Sequence, residues 1–169
     1  MSRRTRSHTV GEDLVKGAIA GAVATYVMGR ITTLMYDRED RRARKQEDEA
    51  RGGSSAYATA AEKGAKLVGR RLTRKEREQA GGAIHWALGV GAGAGYAVVR
   101  RRLAFLGSTV GTALGTAFWA FMDEGVVPTL GLTPGPLAFP WQTHARGFVG
   151  HLTFGTVTDG TLRVLDRVF

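Results

Sequence analysis

Residues 81–122 read GGAIHWALGVGAGAGYAVVRRRLAFLGSTVGTALGTAFWAFM, and the only charged side chains among them are Arg100, Arg101 and Arg102. Two uncharged runs, 81–99 and 103–122, flank that triplet. Each matches the roughly 20 residues that an α-helix needs to cross the hydrocarbon of a bilayer. Glycine and alanine recur through both runs. Such glycines are costly in a water-soluble helix, whereas in a membrane helix they let backbones approach closely. Barely three residues separate the runs, which predicts a helical hairpin.

The preceding stretch has the opposite character. Residues 37–80 hold 13 Lys/Arg and 9 Asp/Glu. An even mixture of charge would describe a globular surface; this segregation implies two solvents. Asp37 to Arg51 carries many opposite charges at helical spacing. Gly52-Gly53-Ser54-Ser55 then breaks the pattern and supplies an N-cap. Ala56 to Leu72 reads as an amphipathic helix with Tyr57, Ala60, Ala61, Gly64, Leu67 and Val68 on one stripe. Thr73-Arg74-Lys75-Glu76 matches a capping box that opens the helix running into 81–99.

Two more segments complete the set. Residues 14–36 form a first span, interrupted by Arg30, which must snorkel or find a partner. Residues 147–165 form a fourth, which carries His151, Asp159 and Arg163 and so needs shielding by its neighbours. Between 123 and 146 lie all four prolines, Pro128, Pro134, Pro136 and Pro140, which predict a connection without regular helix. Residues 1–13 are a basic tail. The apolar run after Lys16 ends in Met28-Gly29-Arg30, a poor cleavage signal, so it reads as a retained helix. The expected fold is therefore all-α, a multi-pass transmembrane bundle of about four spans. The charged helical segment 37–80 lies outside the bilayer after the first span.

The chain has 169 residues, enough for one domain, with a net charge of +9 and no cysteine. Disulfides and thiolate metal sites are excluded. The positive balance favours anionic partners, lipid head groups among them. Lys/Arg placement puts Arg3, Arg4, Arg6, the arginine triplet, Arg163 and Arg167 on the cytoplasmic side. Trp86, Trp119 and Trp141 then fall toward the outer interface. The basic content of 37–80, on the same outer side, conflicts with that orientation.

A family resemblance rests on Gly131-Leu132-Thr133-Pro134, Phe139-Pro140-Trp141 and Gly147-Phe148-Val149-Gly150-His151-Leu152. Upstream, His85-Trp86 is followed by Gly89, Gly91, Gly95 and Tyr96. These stretches resemble the YagU-type (DUF1440) family of bacterial inner-membrane proteins, over roughly residues 81–165. The resemblance implies a multi-pass helical protein of a bacterial cytoplasmic membrane, without catalytic residues or a cofactor. The charged segment 37–80 departs from the family pattern.

The ionisable residues of the spans and their ends are the candidate functional set: Arg30, His85, Asp123, Glu124, His144, Arg146 and His151 toward the outer end, and Asp159 deeper. Intramembrane ionisable groups are costly, about 2.5–3.5 kcal/mol each at mid-bilayer on insertion scales, and usually pair or line a wet cavity. One reading is a proton-sensitive site built on His85 and His151; the other is structural pairing at an interface. Asp159 lies eight residues after His151, on roughly the same helix side, about 12 Å away. With Thr153, Thr156 and Thr158 it forms either a stripe facing a path or one side of a loosely inserted amphipathic helix. Gly17 and Gly21, Gly91 and Gly95, and Gly107, Gly111 and Gly115 repeat every four residues as helix-packing ridges, within the chain or between copies.

Other chemistries lack their context. Gly89-Val90-Gly91-Ala92-Gly93-Ala94 fits a dinucleotide fingerprint, but no strand precedes it and no acid follows before Asp123. No histidine pair has metal-ligand spacing on one helix; only a gathering of His85, His144 and His151 with Glu124 would make a metal site. The expectation is a non-enzymatic, acid- or stress-responsive membrane protein with no cofactor and no metal, and with homo-oligomerisation left open. One alternative is a small proton- or solute-conducting transporter or channel. The other is a soluble helical protein that binds nucleic acid through Arg41, Arg42, Arg44 and Lys45 or Arg70, Arg71, Arg74 and Lys75. Interleaved acids and the lack of nearby aromatics weigh against that one, and no nucleic acid is expected.

Overall fold

A computed structural model describes residues 9–101 and 109–169, and every regular element among them is helical. The N-terminal arginines, Arg102, the opening of the third expected span and Gly107 lie outside the described residues. Helix α1 (Val10–Arg38) starts on a capping box of Thr9 and Glu12. Helix α2 (Arg41–Arg51) is capped by Asp40 and ends at Gly52, whose φ of 56° is left-handed. Ser55 caps α3 (Ala56–Leu67). The Thr73–Glu76 capping box opens α4 (Arg74–Val99), as its sequence predicts. Helix α5 (Val110–Phe121) passes through a π-helical turn, Met122–Val126, into the short α6 (Val127–Thr129). A 3₁₀ turn, Pro136–Ala138, precedes α7 (Trp141–Val168).

The four long elements alternate in direction. Gly17 meets Gly93 and Ala97 while Gly21 meets Val90 and Gly93, so α1 and α4 are antiparallel. Lys16 pairs with Asp166 and Gly150 meets Met28 and Thr32, so α1 and α7 are antiparallel. Gly111 lies on Gly155 and Gly115 on Leu152, so α5 runs against α7. One end of the bundle thus gathers the start of α1 with Arg100 and Arg101; this is the arginine end. The other gathers α2, α3 and the proline-containing connection; this is the cap end.

Close approach, not large side chains, builds the core. A Cβ on Gly17 would lie 2.5 Å from the Gly93 carbonyl oxygen, and one on Gly111 2.6 Å from that of Gly155. Both are backbone contacts that cannot yield. Ala20 and Ala24 are fully buried between these seams, whereas Val15, Ile19, Val23 and Tyr26 of the same helix are exposed. Two helices, α1 and α4, are long and apolar enough to cross a membrane, yet only 22% of the apolar window of each is buried.

Several sequence expectations are corrected. Within the chain, among the described residues, Gly91 and Gly95 meet nothing within 4 Å; the seam on α1 uses Gly89 and Gly93, on the opposite side of α4. The main packing partner of α4 is α1 and that of α5 is α7, rather than each other as a hairpin. Gly17 and Gly21 bring the α1 backbone directly onto α4. On α3 the buried residues are Ala58, which lies against Gly81 of α4, and Ala61; Leu67 and Val68 are 88% and 72% exposed. The helix after 110 persists to Thr129 despite Pro128, and α7 begins at Trp141 rather than 147.

Candidate functional site

Pro128 shapes the site at the cap end. It has no N–H to donate to the carbonyl of Glu124, four residues earlier. The chain widens instead, and the Val127 N–H donates to the Met122 carbonyl, five residues back. In a regular helix consecutive residues point roughly 100° apart. In the wider turn Asp123 and Glu124 both reach α7. Asp123 Oδ2 lies 3.2 Å from His151 Nε2, and Glu124 Oε1 lies 2.6 Å from His144 Nδ1. The two histidines are seven residues apart, two turns along one face of α7.

His144 carries a further constraint. Its Nε2 is 3.1 Å from the Pro136 carbonyl oxygen. A carboxylate and a carbonyl can only accept, so both contacts are hydrogen bonds only when the ring is an imidazolium donating from each nitrogen. In that state His144 ties α5 to the proline-containing connection. Lys63 makes a second tie, donating to the Leu130 carbonyl at 2.8 Å.

Two adjoining cavities border these pairs. The first, about 180 Å³, is lined by Tyr57, Trp119, Asp123, Glu124, Phe139 and His144. The second, about 40 Å³, is lined by His85, Phe118, His151 and Phe154 among others, and shares Tyr57 and Asp123 with the first. The smaller has room for a water molecule. Tyr57 packs on His85 with ring centroids 4.8 Å apart, and Phe118 on His151 at 5.4 Å. His151 is 5% exposed, and among the described residues its Nδ1 has no partner; nor has the buried Trp119 Nε1. Burial, then the Asp123 charge, pushes the Tyr57 hydroxyl up to about 12.

Arg146 belongs to a separate lock beside the cavities. It donates to Glu39 and Glu47, and Glu47 also accepts from Arg51 at 2.8 Å and Thr143 at 2.9 Å. Burial acts to raise the Glu47 carboxyl, but hydrogen bonds from Arg146 and Arg51 and the Arg51 charge outweigh it, leaving Glu47 below the usual carboxylate range. Two guanidiniums face two carboxylates, so the lock is electrically neutral and docks α2 on α7. Spacing within 37–80 could not reveal this partner, which lies about a hundred residues away in sequence.

The expected polar cluster is therefore only partly assembled. Arg30 is exposed on α1 and takes no part in it. Asp159 sits toward the arginine end, where it accepts from Tyr96 Oη at 2.8 Å and Arg163 Nε at 2.6 Å, with Arg100 3.9 Å away. Thr153 and Thr158 donate back to their own helix, to Val149 and Phe154 carbonyls, rather than lining a path. Among the described residues no three His, Asp or Glu side chains gather as a metal would require, so His85, His144, His151 and Glu124 do not converge. Sequence reading missed Glu39, Glu47 and Tyr57; nothing in their local pattern distinguishes them.

No family model, curated protein or solved structure matches the chain.

Proposed function

We propose that this chain is a four-span helical protein of a bacterial cytoplasmic membrane, related to the YagU-type (DUF1440) group, that responds to acid at its cap end without catalysing a reaction. The membrane part is supported by the inverted distribution of polarity: glycine, alanine and ion pairs lie inside, while Ile19, Val23, Tyr26 and Leu88 lie outside. The family part is supported by where the resembling stretches meet. His85, Thr133, Pro134, Phe139 and His151 all border the two cavities.

The observation that carries the acid response is the double contact of His144. Imidazole changes charge in the physiological range, roughly between pH 5 and 8. A neutral ring can donate from only one nitrogen, so it must give up Glu124 or Pro136. Protonation of the ring therefore fastens the connection over the larger cavity, and its loss loosens it. The groups facing this switch are Arg51 from α2, Tyr57 from α3, His85 from α4, Asp123 and Glu124 from the π turn, and His151 and Arg146 from α7. The conducting alternative has less support, because Asp159 is held by three partners and the glycine seams close the bundle below the cavities.

Trp119 provides the test. With Trp86 and Trp141 changed to Phe, its emission in detergent or liposomes should shift as pH is lowered through the imidazole range. The shift should vanish in the His144→Gln, His151→Gln double variant. Emission that is flat with pH, or that responds unchanged in the double variant, would end the acid-response reading. Recovery of the protein in the supernatant of a detergent-free high-speed spin would end the membrane reading.

A further inference from the structure

We propose that the larger cap-end cavity is a binding site for a small organic ammonium ion. Its walls combine the two features such ions need, carboxylates and aromatic faces. Asp123 and Glu124 supply charge; Tyr57, Trp119 and Phe139 supply rings. The other charged groups nearby cancel. Arg51 borders the cavity but is bound to Glu47, within the neutral lock of Arg51, Arg146, Glu39 and Glu47. When His144 and His151 are neutral, the excess charge of the cavity is that of its two carboxylates. At about 180 Å³ the space is smaller than the ~300–1,000 Å³ of pockets for drug-sized ligands, and suits a cation of choline's size.

Two further observations point to a ligand rather than to a packing defect. Trp119 Nε1 is a buried donor without an acceptor on the cavity wall. His151, 5% exposed, borders the smaller cavity next to it; its Nε2 faces Asp123, and among the described residues its Nδ1 has no partner. Buried polar atoms are rarely left unpaired, and an oxygen of a bound ligand or its hydration water would satisfy them. The ammonium group would lie between the carboxylates and the rings, displacing the His144 contact to Glu124.

This deepens the acid-response reading and rests on it in one respect, the loss of binding in acid. Binding is therefore measured first at neutral pH, so that the two readings fail separately. The probe is choline, added to the purified full chain in detergent and followed by calorimetry and by Trp119 emission. The control is its neutral isostere, in which a tert-butyl group replaces the trimethylammonium. Choline should bind saturably and the isostere roughly tenfold or more weakly, the size of a desolvated cation–π contact. Asp123→Asn and Tyr57→Leu should each weaken choline binding, with an unchanged helical circular dichroism spectrum showing that the variants are folded. Equal binding of the isostere, equal competition by sodium, or no binding of choline at neutral pH would overturn the proposal. Binding at neutral pH that persists undiminished in acid would leave the site standing and remove its coupling to the histidines.

Discussion

The two ends of the bundle use the same kinds of residue for opposite purposes. At the arginine end the helices touch through glycine, and ionisable groups are interlocked: Asp13 with Arg101 at 2.9 Å, Lys16 with Asp166 at 3.4 Å, Arg100 with Asp166, and Asp159 with Tyr96 and Arg163. At the cap end Gly150 faces the Met28 and Thr32 side chains, and aromatic rings hold the helices apart around two cavities. At the arginine end charge is paired without space beside it; at the cap end charge borders space and buried donors that lack partners among the described residues, and the proposed acid response and ammonium site depend on that difference. Ionisable residues of one helix, such as Asp159 and His151 on α7, therefore sit in different surroundings set by the packing around them.

Three experiments would break or sharpen this contrast. The largest effect belongs to the seams. A Cβ on Gly155 would lie 3.0 Å from the Gly111 carbonyl carbon and the Gly115 nitrogen, all main chain, so Gly155→Leu should destabilise by at least the ~1–3 kcal/mol typical of overpacking. The matched Gly95→Leu, in open space, should be tolerated. Thermal unfolding in detergent reads both, and equal losses would mean that α4 also packs through its outer glycines.

A smaller effect separates the two carboxylate environments. Asp159 has a side chain 10% exposed, against 37% for Asp123. Asp159→Asn breaks a buried set and should cost about 3 kcal/mol, whereas Asp123→Asn should cost about 1 kcal/mol or less. Reversal of that order in the same unfolding assay would remove the distinction between locked and available charge.

The smallest is a second acid transition. The Glu47 carboxyl is lowered in the folded chain relative to its ordinary value of 4.5. Its contribution is complete above that value and is lost as pH falls through the folded-state value. Amide exchange in α2 should thus rise only below about pH 4.5, beneath the imidazole range. Exchange that rises together with the Trp119 signal would merge the lock with the switch.

Much of this architecture is legible in the sequence alone. The uncharged runs, the Thr73–Glu76 box, the Ser55 cap and the break at Gly52 are local signals, and local signals place helices because backbone donors and periodic apolar faces depend on near neighbours. The proximity of Asp123, Glu124, His144 and His151 also followed from chain direction, since alternating helices bring those segments to one end. Pro128 misled, because a terminal proline was absorbed by widening one turn rather than by ending the helix.

What the sequence determined by itself is thus the helical class, the alternation of charged and uncharged segments, and the residues that share each helix face. Tertiary structure decided which face meets which helix. Gly89 and Gly93, not Gly91 and Gly95, meet α1; Arg146 finds Glu39 and Glu47; Arg30 is left exposed; Asp159 is sealed while Asp123 is left beside a cavity. A helix period specifies faces only up to rotation, and the rotation is chosen by the closest simultaneous fit of several backbones.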